Sequence, residues 1–250
     1  MNISNADRDM QDYVVQYKAL AFERIQLEYR RKLVLNEIKR YSPKCLLEIG
    51  CGLSPLFTNL SPDIVTTVIE PALEFFQNAN QLAKKYPKTQ VINSYLEELK
   101  IDKPSYDMIV LSCLLHEVPN PRVMLSSVAE LCSNETVVHI NVPNAISLHR
   151  LLAVAMGIIP EPKALSETQI VMQQQSKTYD ISSLTFELSN AGFQVIDQGS
   201  IFIKPFTHRQ MQDLVDNKFL TKEMLAGFDG LTKWLPEFGS EIWVTAKKIP

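Results

Sequence analysis

The stretch Leu46–Leu56, Leu-Leu-Glu-Ile-Gly-Cys-Gly-Leu-Ser-Pro-Leu, constrains the fold more than any other. An apolar run carrying Glu48 and stopping at Gly50 and Gly52 describes a buried parallel strand that ends in a tight turn. Two glycines two apart let the backbone turn sharply and let a ligand approach main-chain atoms with no Cβ in the way. Pro55 suits the first turn of a following helix, where a missing N–H costs no hydrogen bond. The dinucleotide pattern G-x-G-x-x-G needs its third glycine at position 55, where this chain has Pro55, so a nicotinamide or flavin site is disfavoured. The competing reading is an ordinary strand-to-helix turn with no ligand.

The rest of the chain alternates strands and helices around this turn. Asp7 to Tyr41 holds apolar residues at three- and four-residue steps without glycine or proline, which predicts a helical region closed by Ser42-Pro43. Strands are expected at Cys45–Gly50, Ile64–Glu70, Thr89–Asn93, Tyr106–Ser112, Glu135–Val142, Phe193–Ile203 and Gly239–Lys247. Between them, helices are expected at Ala72–Tyr86, Arg122–Cys132, Asp180–Ala191 and Thr207–Leu235. In the last of these Phe219, Leu225, Phe228, Leu231 and Trp234 read mostly as core. This order predicts an α/β fold with a parallel sheet covered on both faces. The domain plan is an N-terminal helical segment, 1–43, then a main domain, 44–250, with cap insertions at about 145–178 and 206–236. Within the first insertion, polar Gln169–Ser176 reads as a mobile lid.

Two acids frame the turn. Glu70 lies 22 residues after Glu48, at the end of the next strand. A carboxylate there can accept both hydroxyls of a ribose, at roughly 1.5–3 kcal/mol for each bond to the charged acceptor. An acid followed by Gly50-Cys-Gly52-Leu-Ser54 resembles the first motif of class I S-adenosylmethionine-dependent methyltransferases, with Ser54 in place of the third glycine. Cys113-Leu-Leu-His116-Glu117-Val-Pro119-Asn-Pro121 resembles the family's segment after strand four. Asn141-Val-Pro-Asn-Ala-Ile-Ser-Leu-His149-Arg150 resembles a bacterial small-molecule subgroup. The resemblance is firm over Tyr41–Pro143. It implies a Rossmann-like seven-stranded, mostly parallel sheet with an antiparallel last strand. It also implies S-adenosylmethionine as cofactor, bound by Glu48, Gly50, Gly52, Glu70, Pro71, Tyr95, Leu96 and Ser112. Tyr17 or Arg30 of the leading helices would then reach the methionine end.

The expected chemistry is methyl transfer to a small-molecule acceptor. His116 is the candidate base, with Glu117 orienting it or binding substrate. His149 with Arg150 is a second candidate, for recognising a polar or anionic group; His139, inside a strand, reads as structural. Bacterial relatives of this wording imply a hydroxyl on a sugar, a polysaccharide precursor or a quinone-like metabolite. Transfer to a small amine, or S-adenosylmethionine binding without catalysis, are the alternatives. Net charge −3, with scattered lysines and arginines, argues against nucleic acid as partner. Four cysteines show no C-x-x-C spacing, and no His, Asp or Cys set has metal-ligand spacing, so free thiols and no metal are expected. Leu151–Ile159 is too short to span a bilayer, which takes about 20 residues, and the polar amino terminus lacks a signal-peptide core. A cytoplasmic protein is expected; the oligomeric state is left open.

Overall fold

The computed structural model describes residues 8–99, 106–166, 169–170 and 174–249. Its seven strands are β1 (Cys45–Ile49), β2 (Val65–Ile69), β3 (Thr89–Ile92), β4 (Met108–Ser112), β5 (Val137–Pro143), β6 (Phe193–Ile201) and β7 (Glu241–Lys248). They form one sheet in the order β3-β2-β1-β4-β5-β7-β6. β1 to β5 pair in parallel, and β7 runs antiparallel between β5 and β6. From β1 the chain builds outward to β3, then crosses back to place β4 on β1's other side. That reversal opens a crevice at the carboxyl ends of β1 and β4, where open α/β sheets bind ligands.

Strand periodicity sorts the core into two layers. Leu46, Met108 and Val110 pack on one face against Val34 and Ile38 of α2 (Glu23–Tyr41). Leu47, Ile109 and Leu111 pack on the other, against α4 (Pro121–Leu131) and α6 (Ile181–Asn190). Full burial of each such aliphatic side chain contributes about 1.5–3 kcal/mol. The remaining helices are α1 (Met10–Lys18), α3 (Leu73–Ala83), α5 (Leu148–Ala155), α7 (His208–Asp216) and α8 (Lys222–Gly230). None of the described helices is long and apolar enough to cross a membrane.

Three local expectations are corrected. The leading helical region breaks between α1 and α2 at Phe22, whose φ is +60°. Burial of that ring against Phe202, Met211 and Leu225, with its N–H bonded to Gln212, outweighs continuous helix. Behind β1 there is a single 3-10 turn, Leu56–Asn59, capped by extended Pro55, where an α-helix was expected. The Thr207–Leu235 helix divides into α7, capped by Thr207, α8, restarting at the cap Thr221, and a short 3-10 turn. Each restart resets the helical phase, so the expected apolar stripe is mostly outside: Phe219 is 64% and Trp234 82% exposed, while Leu225 is buried. Residues 171–173 of the expected lid lie outside the described residues. Its end is bonded to the loop after β4, through Ser176 to the carbonyls of His116 and Val118. All four cysteines are free.

Candidate active site

Gly50 and Gly52 follow β1 with φ of +74° and +53°, a region that L side chains rarely adopt. The N–H groups of Cys51 and Gly52 donate to Glu70 Oε2 at 2.9 and 3.1 Å, and Ala72 N–H donates to Oε1 at 2.9 Å. Glu70 therefore ties the glycine turn to the start of α3, and burial raises its pKa. Glu48, in β1 two residues before Gly50, is buried, accepts the Leu56 N–H at 2.9 Å, and is pushed up to about 8 by burial. A groove of about 80 Å³ opens along the turn, lined by Glu48, Gly50, Gly52, Glu70, Pro71 and Ser112. A slot of about 30 Å³ continues it past Pro71 to Tyr95 and Leu96.

The N-terminal segment lies over this groove. The Tyr17 hydroxyl sits 3.5 Å from where a Cβ on Gly52 would be, and Tyr13 and Tyr17 meet Phe75 of α3 edge-on. Arg8 lines both groove and slot, stacks on Tyr13, and lies 3.6 Å from Glu117. Small-molecule sites usually hold about 300 Å³ or more, so a cofactor the size of S-adenosylmethionine requires Arg8, Tyr13 and Tyr17 to shift. Beneath them the residues present fit such a ligand. The turn is free of side chains at both glycines. Glu70 spends three of the roughly four acceptor sites of a carboxylate on main-chain N–H groups, so it has room for one hydroxyl where both hydroxyls of a ribose were expected. Arg31 Nε is buried with no partner on the groove wall, a donor for a ligand carboxylate.

A second, larger chamber of about 350 Å³ adjoins the groove, and Tyr13, Tyr17, Arg30, Cys113 and Glu117 line both. Cys113 turns the chain out of β4 with φ +57°, a sparsely populated conformation for a non-glycine residue. This turn brings His116 and Glu117 to the chamber. Glu117 is 8% exposed, receives the Tyr13 hydroxyl, and has His116 Nε2 at 3.5 Å. Burial pushes its carboxyl up to about 7. His116 is 3% exposed; burial, then the charges of Arg30 and Arg8, hold it neutral down to about 3. Arg30 is fully engaged, with Nε and Nη2 donating to Glu241 at 2.8 and 2.6 Å and Nη1 to Glu23 at 2.9 Å.

The expected site residues thus gather along one crevice, the cofactor set on groove and slot and His116, Glu117 and His149 on the chamber. Arg150 is taken up by the insertion, donating to the carbonyls of Pro162 and Ala164 and to Gln169. His139 is enclosed in the sheet with Nδ1 3.1 Å from Thr245 Oγ1, and burial pushes it down to about 4. Arg8, Tyr13, Glu23, Arg31, Lys204, His208 and Glu241 also line the crevice without belonging to any motif. Among the described residues no group of three or more His, Cys, Asp or Glu side chains is arranged to hold a metal ion.

The chain matches the family model described as "Methyltransferase domain" over residues 22–198. No curated protein sequence matches it significantly. Among solved structures it is similar to the N-methyltransferase NodS from Bradyrhizobium japonicum WM9 in complex with S-adenosyl-L-homocysteine. There the TM-score is 0.55 at 11% identity, over 91% of this chain and 87% of that one. It is also similar to an S-adenosylmethionine-dependent methyltransferase from Clostridium acetobutylicum, with TM-score 0.56 and 9% identity over 89% and 92% of the two chains. The [4+2]-cyclase SpnF gives TM-score 0.58 and 13% identity over 88% and 80%. With its family model spanning most of the sheet, the chain belongs to the S-adenosylmethionine-dependent methyltransferases of the class I fold.

Proposed function

We propose that this enzyme transfers the methyl group of S-adenosylmethionine to a hydroxyl of a small molecule held in the 350 Å³ chamber. The observation that carries the reading is the shared wall, where groove and chamber meet at Tyr13, Tyr17, Arg30, Cys113 and Glu117. In this reading Glu70 and the Gly50–Gly52 turn hold the ribose, Pro71, Tyr95 and Leu96 flank the base, and Arg31 receives the methionine carboxylate. Ser112 and Glu48 support the floor of the groove. When bound, the cofactor supplies an already activated methyl group.

The protein's own work is then positioning and proton removal. Holding acceptor and donor in line is worth about 7–11 kcal/mol of the barrier. Glu117, poised at about 7 on the shared wall, is the better proton acceptor; neutral His116 beside it steadies the carboxylate and contacts the acceptor. His149 faces the far side of the chamber. The enclosed chamber and the mild negative charge favour a small metabolite over nucleic acid.

The test is incubation with methyl-labelled S-adenosylmethionine and a fractionated cell extract, alongside calorimetry with S-adenosylhomocysteine. Label is expected in a small molecule, in a base-stable ether linkage. Label on an amine nitrogen would turn the reading to N-methylation. Cofactor binding with no labelled product from any fraction would leave a binding protein.

A further inference from the structure

The floor of the chamber carries a cation that proton removal and cofactor binding leave unused. Lys204 follows β6, lines the cavity and is 1% exposed. Its Nζ lies 2.5 Å from His208 Nδ1, and among the described residues it has no carboxylate within ion-pair distance. The acids nearest in the wall are committed elsewhere. Glu241 is bound by two nitrogens of Arg30 and by Asn141 Nδ2 at 3.1 Å, and Glu23 by Arg30, with His208 Nε2 at 3.9 Å. His149 donates its backbone N–H to the Lys204 carbonyl, while its ring Nδ1 is buried without a partner. The surrounding wall includes apolar Leu20, Ala153 and Ile159.

A buried lysine amine with no counter-ion is costly to charge, and the chain keeps one beside open volume. We propose that Lys204, flanked by His208 and His149, binds a carboxylate on an otherwise largely apolar methyl acceptor. This rests on the methyl-transfer reading and names the acceptor's charge. One cation matches one negative charge; a phosphate dianion would call on further cations, but Arg30 and Arg150 already have their partners. Burial lowers Lys204 to about 7, against the opposing pull of Glu241 and Glu23 and with the push of Arg30. Binding of the anion therefore draws a proton onto Lys204, and His208 and His149 accept or donate beside it according to tautomer.

The labelled product from the extract is separated on an anion exchanger near neutral pH. It is expected to be retained, and to lose its charge on carbodiimide amidation but not on phosphatase treatment. With that acceptor, Lys204→Met is expected to raise KM about 30-fold, with kcat much less affected and S-adenosylhomocysteine affinity unchanged. Lys204→Arg, which keeps the charge, recovers most of the loss. A neutral or cationic labelled product, or one neutralised by phosphatase, overturns the assignment, as does Lys204→Met working at the native KM. If Lys204→Met does not fold, the product's charge and Lys204→Arg still decide. Absence of any labelled product despite cofactor binding sinks the transfer reading, and the carboxylate site with it; a labelled neutral product sinks the site alone.

Discussion

Glu117 and His116 are neighbours in the chain, but burial moves their proton affinities in opposite directions. It penalises whichever form is charged, so the acid rises to about 7 and the imidazole falls to about 3. A base works only in its deprotonated form, so Glu117 should give kcat/KM an ascending limb near 7, opposed by the descending limb that loss of the Lys204 proton adds in the same range. Glu117→Gln should lower kcat/KM about 10²–10⁴-fold and abolish the ascending limb, with S-adenosylhomocysteine affinity little changed. An ascending limb near neutrality that persists in Glu117→Gln would return the role to another group. Glu70 has a double task, because its carboxylate satisfies three N–H groups of the turn before any ligand arrives. Glu70→Ala should lose cofactor binding and also roughly 3 kcal/mol of stability in urea unfolding, since each donor left unsatisfied costs about 1–3 kcal/mol. Native stability in that variant would make Glu70 a ligand group only.

The segment that governs access is α1. It is fastened to α3 by the Tyr13, Tyr17 and Phe75 rings and by the exposed Lys18–Glu74 pair, and to the chamber by Arg8 and Glu117. Because these side chains lie over the groove, cofactor entry requires α1 to move. Tyr17→Ala should speed S-adenosylhomocysteine association in stopped-flow about tenfold, if the ring contributes about 1.4 kcal/mol to closure. Unchanged association would mean that the ligand enters by another route. Little of this was legible in the sequence. The Gly50–Gly52 turn and the succession of strands along the chain were, because each is a local pattern, while the antiparallel last strand followed only from the family resemblance. The break at Phe22 was not, since a tertiary pocket, not a helix breaker, causes it. Phe219 and Trp234 were misjudged because a periodicity assumed over one helix was cut after Asp216, with a new start at the cap Thr221, and again after Gly230. Lys204 and Glu241 were invisible because long-range pairing alone brings β6 and β7 against the β5 end.

At the scale of the whole molecule, function leaves a signature in the pH dependence of stability. All four histidines are pushed down, first by burial: His116 and His208 to about 3, His139 to about 4, and His149 well below its ordinary value. Below the ordinary 6.5 the unfolded chain binds protons that the native histidines refuse, so these four lose stability as pH falls. Glu48 at about 8, Glu117 at about 7 and the raised Glu70 act with opposite sign. The native state keeps their protons while the unfolded chain sheds them above the ordinary 4.5, so their contribution falls as pH rises. Between 4.5 and 6.5 the four histidines outnumber the three acids, so stability still rises with pH there, but less steeply than below 4.5. Each net proton is worth about 1.4 kcal/mol per pH unit, so denaturant midpoints should rise gently with pH through that window and fall steeply on its acid side. Above 6.5 the acids dominate until Lys204, whose native pKa of about 7 lies below its ordinary 10.5, offsets them in part. The pH at which Glu117 becomes a competent base is thus the pH at which the cost of its burial to the fold reaches its full value. Glu117→Gln should therefore gain up to about 3 kcal/mol over native protein on the alkaline side and nothing below pH 4.5, while losing activity. A variant equally stable at both ends would show that this carboxylate is not held protonated in the native state.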